Sequence, residues 1–296
     1  MARPLCIIGA PSSAGAYAPG QEKAPAVFRR HGLLSTLAKS GHRVDDLGDV
    51  PGFRWRPDPQ RPKSMNLAAV RQAAAAVAEK VAEALAGDAA ALVLGGDCTV
   101  ELGTVAGALR GEHSVGLIYI DLDVDLNAPK TSDGALDWTG TAHLLDLPGT
   151  EAELSGLGPR RPMLAPADIL YFAADNITPP EAEVMRALDL KQIALADVKA
   201  DPVGAARHAV AWGARYNRLL IHLDVDVLAF TDFPIAENVR RCESLSFDAL
   251  SVALAQLLSA ANWRALTVTE VNPDHAPDER EMFDRLILML SQALPV

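Results

Sequence analysis

The chain has few cysteines and fewer basic than acidic residues, and each shortage excludes a class of protein. Three cysteines in 296 residues provide no disulfide framework, so we expect a protein of the reducing cytoplasm. Lysine and arginine together number 27, against 38 aspartate and glutamate residues, which gives a formal net charge of −11. This charge argues against a nucleic-acid partner, because a phosphate backbone requires basic patches on the protein.

Long apolar runs are also missing from the sequence. None approaches the roughly 20 residues that a membrane-spanning helix needs, so we expect no membrane partner. The apolar segment Leu5–Gly9 is too short for a secretory signal. We predict that it forms the first strand of the fold.

Short apolar runs, by contrast, recur along the whole chain and predict an α/β fold with a mainly parallel, doubly wound sheet. Between them lie alanine- and leucine-rich stretches, of which Leu67–Ala86 and residues 247–260 are predicted helices. The irregular stretches 50–64 and 128–141 are long enough to be functional loops. With 49% hydrophobic residues, one domain spanning residues 1–296 is preferred. The eight predicted strands are residues 5–8, 43–47, 91–94, 115–120, 169–172, 192–196, 219–223 and 265–268.

Acidic residues follow three of these predicted strands. They are Asp97 in a Gly-Gly-Asp-Cys segment, then Asp121, Asp123 and Asp125, and finally Asp224 and Asp226. Parallel strands place their carboxyl ends at one edge of a sheet, where ligands bind in open α/β folds. So many carboxylates repel one another unless cations lie between them. The pattern predicts a site for more than one metal ion.

A calcium loop of the EF-hand type is an alternative explanation for the segment that starts at Asp121. It fails because the sixth position is Leu126 instead of glycine and the twelfth is Ser132 instead of glutamate. A solvated acidic turn is the other alternative. We disfavour it because a second Asp-x-Asp pair, Asp224 and Asp226, also follows a predicted buried strand.

Three further residues are ambiguous when taken alone. Cys98 is explained equally well as a metal ligand or as a small buried hydrophobe. His143 ends the second long loop, where it is either a proton shuttle or an ordinary capping residue. Glu270 ends the eighth predicted strand, where it is either a surface acid or an anion that faces a cationic substrate.

Taken together and in order, these motifs resemble the arginase/ureohydrolase family, which includes arginases, agmatinases and formiminoglutamases. The resemblance covers essentially the whole chain. It includes the opening segment from Gly9 to Gly15 and Glu270-Val271-Asn272-Pro273 near the end. Such a resemblance implies a three-layer α/β/α fold with an eight-stranded parallel sheet. It also implies two divalent ions, most often manganese, a small guanidino or amidino substrate, and a homo-oligomer.

The resemblance further implies roles for single residues. Asp121, Asp125, Asp224 and Asp226 match metal-binding aspartates of the family. His143 matches its proton shuttle and Glu270 the glutamate that orients the guanidinium group. Asn127 and Thr139 match positions that hold the α-carboxylate of the substrate in arginases.

Two departures from the family pattern fall on metal ligands. The family has histidine where this chain has Cys98 and again where it has Asp123. We predict that both replacements remain ligands, with zinc or iron tolerated at the Cys98 position. Five aspartates and a thiolate would carry six negative charges against four positive ones. We therefore expect that Cys98 stays a thiol, that a carboxylate is protonated, or that the bound water is less acidified than in arginase.

These departures leave two classes of function open. The first is a metal-dependent hydrolase of a linear carbon–nitrogen bond in a guanidino or amidino compound, which releases urea or a urea derivative. The second is a catalytically silent arginase-like protein that binds a metabolite, or serves as a structural subunit, with an impaired metal site. Metal analysis of the purified protein separates the two.

Overall fold

The computed structural model describes residues 3–111, 113–129, 131–240 and 242–295. Eight strands form one sheet, and every neighbouring pair in it is parallel. The order across the sheet is β2-β1-β3-β8-β7-β4-β5-β6. The strands are β1 Leu5–Gly9, β2 Val44–Asp49, β3 Ala90–Leu94, β4 Val115–Ile120, β5 Ile169–Phe172, β6 Lys191–Ile193, β7 Arg218–Asp224 and β8 Trp263–Thr269.

Eleven α-helices in the described part of the chain cover the two faces of this sheet. Five of them lie on one face: α3 Leu67–Ala86, α4 Val100–Ala108, α5 Gly140–Leu144, α6 Ala152–Ser155 and α7 Pro179–Ala187. Six lie on the other: α1 Ala24–Arg30, α2 Leu33–Lys39, α8 Leu195–Ala200, α9 Pro202–Gly213, α10 Phe247–Leu258 and α11 Glu279–Ala293. The three-layer α/β/α architecture and the eight-stranded parallel sheet are therefore confirmed.

The strand β4 illustrates why its sequence is apolar throughout. Leu117 and Tyr119 pack into the core on the side of α3 and α4, whereas Ile118 and Ile120 pack into the core on the opposite side. Side chains alternate between the faces of a strand, so a strand covered on both faces needs apolar residues at every position. Burial of all six residues of β4 fits this requirement.

Most predicted boundaries lie within two residues of the observed ones, but one prediction is wrong in detail. Residues 192–196 were predicted as a strand, whereas β6 ends at Ile193 and α8 begins at Leu195. Of the two predicted loops, 50–64 contains no helix or strand. The other ends in a 3-10 turn, Asp137–Thr139, followed by α5, and Lys130 within it lies outside the described residues.

The four central strands carry the candidate site. In sheet order they are β3, β8, β7 and β4, and their carboxyl ends lead into Cys98, Glu270, Asp224 and Asp121, respectively. A Cβ atom on Gly96, just after β3, would overlap the carbonyl oxygen of Ser12. Only glycine permits this close approach, which brings Cys98 back over the sheet edge.

None of the helices in the described part of the chain combines the length and the apolar character needed to cross a membrane.

Candidate metal centre

A cavity of about 430 Å³ opens at the carboxyl edge of the four central strands. Its outer wall includes Tyr17 and Trp138, each about 40% exposed. Nine acidic side chains line the cavity, so a positively charged occupant is favoured on charge alone. They belong to Asp121, Asp123, Asp125, Asp133, Asp137, Glu181, Asp224, Asp226 and Glu270.

Asp121 lies at the centre of this acidic group. Its Oδ1 accepts a hydrogen bond of 2.7 Å from the backbone N–H of Asp123. Its Oδ2 is buried without a hydrogen-bond partner among the described residues. Burial raises the pKa of Asp121 well above its ordinary value, and the charges of Asp224 and Asp226 raise it further. A buried carboxylate oxygen with no donor and several anionic neighbours fits a bound cation.

Two groups of potential ligand atoms share Asp121. In each group the atoms all lie within 4.8 Å of one another. One group consists of Cys98, Asp121, His222 and Asp224, and the other of Asp121, Asp123 and Asp226. The residues of both groups therefore fit divalent ions, and Asp121 is common to the two groups.

Cys98 lies in the first of these two groups. Its Sγ donates to Oδ2 of Asp224 over 3.0 Å and is 3.5 Å from Nε2 of His222. Burial raises the pKa of the Cys98 thiol well above its ordinary value, and the negative charge of Asp224 adds to the effect. The sulfur faces the cluster instead of the apolar core, which favours the interpretation as a ligand.

Asp123 and Asp226, in the second group, have partners nearer to solvent. Oδ2 of Asp123 accepts a 2.8 Å hydrogen bond from Nη2 of Arg240, and Oδ2 of Asp226 accepts one of 2.9 Å from Nδ2 of Asn238. Burial and the charge of Asp226 raise the pKa of Asp123 to about 7, although the charge of Arg240 opposes this rise. Arg240 therefore occupies part of the coordinating capacity of Asp123.

Asp125 differs from the other predicted ligands. It lines the cavity but belongs to neither ligand group. Its Oδ2 accepts a 2.5 Å hydrogen bond from the buried hydroxyl of Tyr119. The backbone of Asp125 has a φ of 50°, in the left-handed region, which turns the chain sharply after β4.

Glu270 is held in place by both of its carboxylate oxygens. Oε1 accepts a hydrogen bond of 3.0 Å from the backbone N–H of Cys98, and Oε2 accepts one of 2.9 Å from Nε2 of Gln21. Its backbone φ of 62° is again in the left-handed region, directly after β8. Each oxygen retains a second lone pair, so the carboxylate can accept two further donors from a ligand in the cavity.

The structure does not bring His143 to the cavity. The side chain is fully buried, its Nδ1 donates to the carbonyl oxygen of Thr139 over 2.7 Å, and its Nε2 accepts from the backbone N–H of Glu151 over 3.0 Å. Both ring nitrogens are therefore occupied. The proton-shuttle role predicted for His143 does not fit this position.

Of the two predicted substrate contacts, only Asn127 lines the cavity, where its Nδ2 donates to Oε1 of Glu181 over 2.9 Å. Thr139 is fully buried, and its hydroxyl donates to the carbonyl oxygen of Leu136 over 2.6 Å. It is not among the residues that line the cavity, so the predicted contact does not fit. Asp97 likewise holds the turn after β3, because its carboxylate accepts from the backbone N–H groups of Gly15 and Thr99.

The sequence analysis missed His222, which belongs to the first ligand group, and also Asp137 and Arg240, which line the cavity. His222 had a detectable signal, because it precedes Asp224 by two positions and so shares its face of β7. Asp137 lies in the predicted loop 128–141, where no motif marks it as a site residue. Arg240 lies far from any recognised motif, and its position depends on the tertiary fold.

The sheet, the shared aspartate and the two ligand groups define a three-layer α/β protein with a candidate dinuclear metal centre. Comparison with known proteins identifies the family to which the chain belongs. The family described as "Arginase family" matches residues 3–290. The chain therefore belongs to the arginase family, whose members hydrolyse amidino compounds.

Individual relatives agree with this assignment. Human arginase-1 is 30% identical over 228 residues, which cover 76% of this chain and 71% of the relative. Rat mitochondrial arginase-2 is 28% identical over 294 residues, covering 94% and 80%. Among solved structures, arginase from Bacillus subtilis superimposes with a TM-score of 0.88 at 22% identity, covering 99% of both chains. Formimidoylglutamase from the same species gives a TM-score of 0.75 at 14% identity, covering 99% and 86%. At these sequence identities the two structures support the fold assignment alone.

Proposed function

We propose that this chain is a metal-dependent hydrolase that cleaves a linear carbon–nitrogen bond in a guanidino or amidino compound and releases urea or a urea derivative. The observation that carries the proposal is the buried Oδ2 of Asp121, which has no hydrogen-bond partner in the described part of the chain and lies where the two ligand groups meet. A single domain spanning residues 1–296 supplies all of these groups. Family membership supports the reaction type.

Two divalent ions are the cofactors of this proposal. The first would be held by Cys98, Asp121 and Asp224, and the second by Asp121, Asp123 and Asp226. Asp125 is a further candidate through the carboxylate oxygen that Tyr119 does not occupy. Divalent ions in such a centre supply Lewis-acid activation of water at neutral pH. Manganese suits the second, oxygen-only group, since carboxylates are its preferred ligands.

The remaining chemistry belongs to the side chains of the cavity wall. Glu270 would accept N–H groups of the cationic substrate, in a charge-assisted contact that fixes the orientation of the reacting carbon. The other carboxylates add an attractive field for a cation. Asn127 and Asp137 line the same cavity, where they would contact the rest of the substrate.

A second function, a catalytically silent arginase-like binding protein or structural subunit, is favoured by one observation. Arg240 donates to Asp123 over 2.8 Å and so competes with an ion for that carboxylate. If this competition prevails, the second ion binds weakly and the cavity binds a metabolite without turnover.

Metal content and urea release, measured on the same preparation, distinguish these functions. Protein purified without chelators is analysed for metals and then assayed with arginine, hydroxylated arginine, agmatine and guanidino acids. Two ions per chain with urea release from one of these compounds supports the hydrolase. Protein that stays metal-free and inert under manganese loading supports the silent protein. Homo-oligomerisation and a cytoplasmic location remain predictions, testable by sedimentation and by cell fractionation.

A further inference from the structure

His222 is a histidine in the first ligand group. It lies at neither of the two positions, Cys98 and Asp123, where the family has histidine. It lies on β7, two residues before Asp224, and is fully buried. Its Nε2 is 3.5 Å from Sγ of Cys98 and 3.4 Å from Oγ1 of Thr269. It also belongs to the ligand group that contains Asp121 and Asp224. The Nε2 atom therefore faces the first ligand group.

The orientation of this ring is fixed from two sides. Nδ1 of His222 is 3.4 Å from Oε2 of Glu101, a residue of α4 that is 2% exposed. The imidazole is also stacked on the ring of Tyr119, with centroids 4.1 Å apart and an angle of 7° between the planes. If the Nδ1–H group donates to Glu101, the lone pair of Nε2 points at the cluster. Metal-binding histidines in proteins are commonly oriented by a carboxylate in this way.

We propose that His222, positioned by Glu101, is the nitrogen ligand of the first ion, and that it completes a Cys98, His222, Asp121 and Asp224 set that selects zinc over manganese. This inference rests on the proposed metal centre. It transfers the imidazole ligand from the loop after β3, where Cys98 lies, to β7, which is separated from β3 by β8 in the sheet. The second ion keeps its all-oxygen ligands.

The observed separation of the two donors agrees with tetrahedral coordination. Bonds of about 2.0–2.1 Å to nitrogen and about 2.3 Å to sulfur, at a tetrahedral angle, place the two atoms about 3.5 Å apart. The observed distance from Sγ to Nε2 is 3.5 Å. Zinc accepts thiolate, imidazole and carboxylate ligands, whereas manganese prefers sites made of oxygen ligands.

The carboxylate behind the ring supports the same assignment. Oε1 of Glu101 is buried and has no hydrogen-bond partner in the described part of the chain. A cation held through the imidazole of His222 would offset the negative charge of this buried carboxylate.

The test titrates metal-free protein with Co²⁺ and with Zn²⁺ and measures stoichiometry, affinity and the optical spectrum. The variants are His222→Gln, Glu101→Gln and Cys98→Ser, with His42→Gln as the matched control. His42 is also buried, but it lies near Leu294, away from the metal centre. In wild type we expect two ions per chain and a thiolate-to-cobalt absorption band.

Each variant has a distinct expected result. Glu101→Gln keeps the band but weakens the first site by about 10- to 100-fold, as is usual when the partner of a ligating histidine is lost. His222→Gln weakens the same site by at least that factor, alters the cobalt spectrum and leaves the second ion bound. Cys98→Ser abolishes the band. His42→Gln matches wild type.

The inference is overturned if His222→Gln binds cobalt with wild-type affinity and spectrum, a result that leaves the hydrolase proposal intact. Wild type that binds neither cobalt nor zinc overturns the inference, and wild type that also stays metal-free under manganese loading overturns both. Two tightly bound ions with His222-dependent affinity, but no urea release from any guanidino compound, sustain the inference and count against the hydrolase. If His222→Gln does not fold, X-ray absorption spectroscopy of zinc-loaded wild type tests the assignment instead. A zinc spectrum without an imidazole ligand contradicts it.

Discussion

The backbone N–H of Cys98 donates a 3.0 Å hydrogen bond to Oε1 of Glu270 and so links the end of β3 to the end of β8. These strands are neighbours in the sheet. The bond fixes the position of Glu270, which is proposed to bind the substrate, relative to Cys98, which is proposed to bind a metal ion. This arrangement exists before any ligand binds. Such preorganisation is what a site needs to hold a small substrate in reactive orientation.

Glu270→Gln is expected to weaken binding of a guanidinium substrate without expelling metal, because it removes a charge and a charge-assisted contact. The loss is about 1.5–3 kcal/mol, or one to two orders of magnitude in kcat/KM. Urea-release kinetics and metal content are measured together. Glu237→Gln is the matched control, since Glu237 is buried nearby but does not line the cavity. Equal kinetics in wild type and Glu270→Gln contradict the role.

Cys98→His is expected to shift the first site toward manganese, because it replaces a soft sulfur with imidazole. Dialysis against equimolar Zn²⁺ and Mn²⁺ should give a higher manganese share in the variant than in the parent. Cys6→Ala serves as control for loss of another buried thiol. If the metal content of Cys98→His equals that of the parent, Cys98 is a packing residue and not a ligand.

His143→Gln is expected to lower stability and leave kcat of the folded protein unchanged, because both ring nitrogens are occupied away from the cavity. Burial lowers the pKa of His143. The unfolded chain therefore binds a proton more readily than the folded one, and the stability that neutral His143 provides is lost as the pH falls below about 6.5.

Denaturant unfolding of both proteins between pH 7.5 and 5, spanning the ordinary histidine pKa of about 6.5, checks this sign. The stability advantage of wild type over His143→Gln should shrink toward pH 5, by at most about 1.4 kcal/mol per pH unit. An advantage that grows on acidification, or a loss of kcat by two or more orders of magnitude, refutes this account of His143.

Arg240→Ala is expected to strengthen binding of the second ion, because it frees Oδ2 of Asp123 and removes a competing positive charge. The Arg240 side chain is 45% exposed, so the change in stability should stay below about 1 kcal/mol. Manganese titration followed by calorimetry measures the affinity. Arg30→Ala, which breaks an exposed ion pair with Glu279, is the control. Weaker manganese binding in Arg240→Ala contradicts the proposed competition.

The sequence was sufficient to predict the sheet and the place where the site lies. Helix α3 has the predicted bounds, because an uninterrupted run of strong helix formers leaves little competition. Asp121 and Asp224 were expected at one edge because they follow apolar runs, and β4 and β7 are indeed neighbours. For these elements the local sequence pattern and the tertiary structure favour the same arrangement.

Side-chain direction within the short loop and helix around α5 was not predictable in the same way. His143 has a family-like position in the sequence, but the turn from the 3-10 segment into α5 directs its ring into the interior. In the sequence, His222 lies within the predicted strand 219–223. Its role depends on the pairing of β7 with β8 and on α4, which supplies Glu101. Such contacts are long-range, and no local spacing specifies them.

The most direct test of the account is a titration of metal-free wild type with divalent ion while urea release from the guanidino panel is followed. The account predicts no urea release from the metal-free protein and a rate that rises to a plateau at two ions per chain. Urea release that persists in fully chelated protein, or a protein that binds two ions and remains inert on every guanidino and amidino compound, would contradict it.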